Sequence, residues 1–175
     1  MINPSNKGSK SLQKHSISLD FLEGGLEDFG ENVVRMWDEA QRLWPMAYAP
    51  YSGFHVVAVV LTSDGSILAG TNQENASFPV GICAERVVLS ALSCQGPLPR
   101  VQAMLVFAGR LSSHNGLVTP VESKPVAPCG MCRQALMEQV KRQNHDFPLY
   151  LANSGGTIWC LERASDLLPL AFRDF

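Results

Sequence analysis

Positive charge is not in surplus in this chain: 14 Lys and Arg stand against 16 Asp and Glu, for a net charge of −2 and a pI near 6.1. That balance lacks the electrostatic footprint that binding a phosphate backbone demands, and no basic or aromatic-interleaved stripe makes up for it, so nucleic acid is excluded as the expected partner. Long apolar runs are missing as well. None approaches the roughly 20 residues that span a bilayer, and the first residues hold no hydrophobic core of the secretory kind. A membrane partner is therefore not expected, and the cytoplasm is the expected location. Cysteines are few and odd in number, five in all. Two of them form a C-x-x-C pair, which without an export signal favours metal or redox chemistry over a disulfide framework.

What the chain does have is apolar material for one core, 46% of 175 residues, and one domain is the expectation. Residues 1–18 are rich in Ser, Asn and Lys and too polar to build core. A loose arm is expected over 1–25, followed by a single domain over 26–175. From Leu26 to Trp44 the apolar positions Phe29, Val33, Met36, Trp37, Ala40 and Trp44 recur at helical spacing, and Pro45 provides a stop. Phe54–Thr62 is rich in β-branched residues and ends at the turn signal Ser63-Asp64-Gly65, after which Ile67–Thr71 should return antiparallel.

A second, buried helix is predicted over Cys83–Ser93, a central strand over Val101–Ala108 and a long surface loop over Gly109–Pro128. A third helix over Gly130–Arg142, strands at Leu149–Ala152 and Thr157–Leu161, and a short helix at Arg163–Leu168 complete the order. Five strands alternating with helices imply an α/β fold, three layers α/β/α around a mixed five-stranded sheet.

Chemistry concentrates in two segments. In Pro128-Cys129-Gly130-Met131-Cys132 the two-residue spacing lets both sulfurs reach one tetrahedral ion from the first turn of a helix. By itself such a pair is also compatible with a thioredoxin-like redox site or with coincidence. A closed four-cysteine zinc site would need a second close pair, and Cys83, Cys94 and Cys160 are scattered. Cys94 and Cys160 read as inert core thiols. Cys83 stands at a helix start, where the positive end of the helix dipole favours a thiolate. Three thiolates would leave one coordination position for water. Glu85, two residues on, shares that side only if Cys83 lies at the helix terminus, and it is long enough to reach such a water without ligating the ion. C-x-E followed by P-C-x-x-C is the three-cysteine form of the zinc deaminase signature.

At this point the chain resembles the small homotetrameric cytidine deaminases, from Met46 to Phe172. The resemblance is carried by Ala49-Pro50-Tyr51-Ser52-Gly53-Phe54, by Gly70-Thr71-Asn72-Gln73-Glu74-Asn75-Ala76, by Cys83-Ala84-Glu85-Arg86, by Pro128-Cys129-Gly130-Met131-Cys132-Arg133-Gln134 and by Leu167-Leu168-Pro169-Leu170-Ala171-Phe172. It implies one Zn²⁺ per chain on Cys83, Cys129 and Cys132, with Glu85 moving protons while water replaces the amine at C4 of a pyrimidine nucleoside. Cytidine and 2′-deoxycytidine would become uridine, 2′-deoxyuridine and ammonia, in pyrimidine salvage.

It implies further that Asn72 and Glu74 hold the ribose, that Phe54 packs on the pyrimidine and that the Ala84 amide and Ala127 carbonyl read its edge. Phe172 would complete a neighbouring subunit's site. Three thiolates on one Zn²⁺ sum to −1, and Arg86 resembles the arginine that donates to the ligand sulfurs and withdraws their charge. Val57, the long 109–128 loop and the arm depart from the family pattern, and Val57 is expected to reshape packing under its strand.

Overall fold

A nine-residue run such as Phe54–Thr62, with apolar side chains on both sides of the strand, can be stable only where both faces of the sheet are covered. The computed structural model, which describes residues 12–96, 100–110 and 124–173, provides that cover. Its strands are β1 (Leu22–Gly24), β2 (Phe54–Thr62), β3 (Ile67–Thr71), β4 (Val101–Arg110), β5 (Leu149–Asn153) and β6 (Ile158–Leu161). They form one sheet in the order β1-β6-β5-β4-β2-β3. β4 and β5 run parallel, and the other neighbouring pairs are antiparallel.

Helix α1 (Glu31–Leu43) covers one face, and α2 (Ala84–Ser93) and α3 (Gly130–Gln143) cover the other. Alternation along β2 sorts the side chains. Val57, Val59 and Leu61 join Val33, Met36, Trp37 and Trp44 on the α1 side, where Phe107 meets Trp37 and Trp44 edge-on at 5.0 and 5.1 Å. Ala58 and Val60 join Val88, Leu92 and Leu136 beneath α2 and α3. The three-layer α/β/α expectation is met. Val57 is fully buried on the α1 side.

The sheet has six strands, not five. The additional strand, β1, lies inside the stretch expected as an arm; only three residues long, it leaves no periodicity to read, and it pairs Leu22 with Cys160 and Gly24 with Ile158 at the sheet edge. Residues 12–21 carry no regular structure, and residues 1–11 and the 111–123 part of the expected long loop lie outside the described residues.

Helix α1 starts at Glu31 rather than Leu26, since Gly30 is extended at its N-cap and Leu26–Asp28 forms a separate 3-10 turn. α3 ends where Asn144 enters the left-handed region at φ 49°, a conformation its short polar side chain tolerates. Near the C-terminus Ala164–Leu167 makes a 3-10 turn, and Pro169 follows where a helix would have to continue.

One close approach places the start of α2. At Gly70 in β3 a Cβ would lie 2.8 Å from the Val88 amide nitrogen and 3.0 Å from the Ala84 carbonyl oxygen. Backbone cannot yield as a flexible side chain can. G70A is expected to lower stability by about 1–3 kcal/mol, the usual cost of overpacking, measured as a fall in the denaturant midpoint at unchanged slope. An unshifted midpoint would mean that β3 and α2 are not in such close contact.

Candidate metal centre and active site

Two helix starts converge on one spot. Cys83 is the N-cap of α2 and Cys129 the N-cap of α3, each with extended backbone, and Cys132 lies in the first turn of α3. Amide groups at a helix start have no intrahelical acceptor and, with the helix dipole, favour negative charge there. The terminal position of Cys83 is also what allows its side chain and that of Glu85 to reach the same site.

The three sulfurs lie within 4.8 Å of one another, with Cys83 Sγ 3.8 Å from Cys129 Sγ and Cys129 Sγ 3.5 Å from Cys132 Sγ. Tetrahedral zinc–thiolate bonds of about 2.3 Å put ligand sulfurs about 3.8 Å apart. The cluster therefore fits one zinc ion with little adjustment. Its own acid–base chemistry points the same way. The Cys132 thiol, hydrogen-bonded to Cys83, together with the charge of Arg86 among lesser influences, holds Cys83 down to about 6. Cys132 is pushed far up, first by the same bond and then by burial. One negative charge thus forms readily, and further ionisation calls for a cation.

Glu85 is 4% exposed, the charged side chain most removed from water in the site. Burial raises its carboxyl above the ordinary carboxylate range, against the opposing pull of hydrogen bonds. Beside it opens a cavity of about 270 Å³, and its lining brings together most of the positions singled out in the sequence. Cys83, Ala84, Glu85, Ala127 and Cys129 form one end, and Phe54, Asn72 and Glu74 form another part of the wall. A neighbouring cavity of about 530 Å³ shares Ser52, Asn72, Glu74 and Cys83 with it and extends to Tyr51 and Phe78.

Asn72 and Glu74 follow the end of β3, and both brace the wall they line. The Asn72 amide donates to the Phe54 carbonyl (3.0 Å), and its oxygen accepts from the Val56 amide (2.8 Å). Glu74 Oε2 accepts from the amides of Tyr51 and Ser52, at 2.8 and 3.2 Å. Hydrogen bonds to Ser52, side chain first, hold the Glu74 carboxyl below its usual range despite slight desolvation. Each group keeps hydrogen-bonding capacity for a ligand: the amide a second N–H, the carboxylate several lone pairs.

Two residues stand outside this gathering. Phe172 is 69% exposed and does not line the cavity; its carbonyl accepts from Gln134 Nε2 at 2.8 Å, which ties the chain end along α3. Arg86 is half-buried in a cleft with Glu138 and Arg142, and its guanidinium makes no hydrogen bond among the described residues.

Sequence reasoning assigned no role to Arg133. Its Nε donates to the Pro128 carbonyl at 2.8 Å and its Nη1 to the Leu167 carbonyl at 3.3 Å, which fastens the segment between Ala127 and Cys129 to the C-terminal turn. Its position directly after Cys132 was the available signal, although no spacing rule reveals a bond to a carbonyl 34 residues away.

The family model for the cytidine and deoxycytidylate deaminase zinc-binding region matches residues 31–144. Among curated proteins, the cytidine deaminase of Halalkalibacterium halodurans is 39% identical over 126 residues, 72% of this chain and 83% of that one. That of Sporosarcina psychrophila is 33% identical over 142 residues, 81% of this chain and 91% of its own. The crystal structure of the cytidine deaminase from Burkholderia pseudomallei superposes with a TM-score of 0.66 at 34% identity, covering 79% of this chain and 98% of that chain. For the Mycobacterium tuberculosis cytidine deaminase the values are 0.57, 32%, 81% and 97%.

Proposed function

The chain belongs to the family of cytidine deaminases, hydrolytic enzymes with a zinc-binding region, and on that premise we propose that it converts cytidine and 2′-deoxycytidine to uridine and 2′-deoxyuridine with release of ammonia, in pyrimidine salvage. The observation that carries this reading is the three-sulfur cluster of Cys83, Cys129 and Cys132, two members of which, Cys83 and Cys129, line one cavity of about 270 Å³ together with the buried Glu85. Cys83, Cys129 and Cys132 are the ligands in this reading, one zinc to a chain. When bound, zinc supplies a Lewis acid that lowers the pKa of water in the site to near neutrality.

The other steps fall to the chain's own groups. Glu85 takes a proton from the attacking water and gives it to N3, then takes the remaining proton of the newly added hydroxyl and gives it to the departing amine as the C4–N bond breaks and the C4 carbonyl forms; a carboxyl raised by burial suits a group that must hold a proton between those transfers. The Ala84 amide, at the first position of α2, and the Ala127 carbonyl face the pyrimidine edge, with Phe54 against the ring. Asn72 and Glu74 take the ribose hydroxyls. Arg86 offsets the charge of the thiolates, a role supported by its electrostatic pull on Cys83.

Strand β1 and residues 26–175 act together as one deaminase domain in this reading, cytoplasmic and homotetrameric. Phe172 contributes to the site of a neighbouring copy, which agrees with its exposure and with its place outside its own cavity.

The test is ammonia release from each nucleoside, with and without a strong zinc chelator. Turnover is expected on both, to fall at least about 100-fold when zinc is withdrawn, and to return when zinc is added back. Failure to release ammonia from either nucleoside would sink the substrate assignment.

A further inference from the structure

Phe54 opens β2, and the antiparallel register sets Arg110, the last residue of β4, directly opposite it. Side chains opposite each other on neighbouring strands share a face of the sheet. Here the Arg110 guanidinium lies over the Phe54 ring, 5.8 Å from its centroid, while Nη1 donates to the Ser52 carbonyl at 2.6 Å. Ser52 belongs to the turn entering β2, which passes through Gly53 at φ +66°. Its hydroxyl accepts from the Phe54 amide at 3.0 Å. Ser52 and Phe54 line the cavity beside Glu85, and Arg110 does not. Arg110 thus supports both residues from outside the cavity.

The backbone there has ties besides Arg110. Glu74 holds the amides of Tyr51 and Ser52, and Asn72 holds Phe54 and Val56. Arg110 adds two constraints that neither of those residues supplies. It fixes the direction of the Ser52 carbonyl, and it engages the Phe54 ring through a cation–π contact. A flat, immobile ring matters to a ligand that packs against it, because every rotamer the ring must give up on binding weakens affinity.

We propose that Arg110 is a positioning residue for substrate: it braces Ser52 and Phe54 so that the cavity wall meets the pyrimidine nucleoside preformed. This inference rests on the nucleoside reading of the site. Arg110 stands outside the cavity wall that Cys83, Glu85 and Cys129 share, so its effect falls on binding of the ground state and transition state alike and leaves the chemical step unaltered. Such uniform binding shows in KM and not in kcat.

The experiment compares wild type, R110A, R110M and R110K on cytidine, with uridine binding by calorimetry as a readout independent of turnover. R110A should raise KM about 10-fold with kcat within about twofold, the loss of uridine affinity running in parallel. Its melting temperature should stay within about 2 °C of wild type, as for other exposed substitutions. R110K, which keeps the cation and one donor, should recover KM to within about threefold of wild type.

R110M keeps the apolar stem but neither charge nor donor; it should match R110A and replaces it if truncation unfolds the chain. An unchanged KM in R110A and R110M, or a fall in kcat and melting temperature at constant KM, would overturn the proposal. A wild type that neither turns over cytidine nor binds uridine would remove the nucleoside reading and this inference together. An active wild type beside equally active variants would remove this inference alone.

Discussion

Glu85→Gln is expected to lower kcat on cytidine by about 10²- to 10⁴-fold, the usual contribution of a general acid–base group, with zinc content and fold unchanged. Glutamine keeps the size of the side chain and its hydrogen-bonding reach but can neither accept a proton from water nor carry one to N3. Glu85 is buried beside the sulfur cluster, and the lining of the cavity otherwise offers only apolar groups, backbone, Ser52, Asn72, Glu74 and the cysteines Cys83 and Cys129. Glu74 is occupied in holding the Tyr51 and Ser52 amides. Among the described residues lining the cavity, no other carboxylate stands ready to replace Glu85.

The substitution also separates catalysis from stability. A buried carboxylate is costly to keep charged, so the neutral amide should melt no lower than the wild type. If the zinc were purely structural and Glu85 only a favourable charge in the first turn of α2, there would be no turnover to lose. Single-turnover kinetics with metal analysis on the same sample decides the matter, and full activity in the glutamine variant would refute the proton-transfer role.

Cys129→Ala should abolish zinc binding and, with it, activity. Cys129 suits this test better than Cys132. Cys132 is fully buried, so its removal would also open a cavity, whereas Cys129 is exposed and its loss tests ligation with little disturbance of packing. Two remaining thiolates cannot hold the ion as three do. Because metal binds the folded chain, its affinity adds to folding stability by mass action: about 2.7 kcal/mol at a hundredfold excess over Kd. At about 2–4 °C per kcal/mol for a chain of this size, the variant should melt roughly 5–10 °C below the zinc-loaded wild type. A chelator should lower the wild type by a similar amount and leave the variant where it is. A metal-replete, active C129A would show that the ligand set is wrong.

The elements with the strongest pattern were read almost to the residue. Phe54–Thr62 and Ile67–Thr71 are β2 and β3 as expected, and α2 and α3 begin at Ala84 and Gly130. β-branched runs and helix starts write themselves into local sequence. β1 did not, since three residues hold no period and its strand character comes from the edge of β6. The same limit applies at the site. Asn72 and Glu74 could be named, but nothing in the spacing shows that their side chains hold the backbone of β2 and of its entry turn.

For the metal centre the division is sharper. C-x-E and P-C-x-x-C specified a donor set and an adjacent carboxyl because helix-terminal geometry is local, settled within four residues of each cysteine. Only the tertiary structure decided that Cys83 and Cys129, 46 residues apart, stand 3.8 Å from each other, and that Arg110 reaches Ser52 across 58 positions of chain. Those contacts depend on how β2 and β4 pair and on how α2 and α3 pack against the sheet. Their energy comes from burial and register distributed over the whole core, and no short segment of sequence carries it.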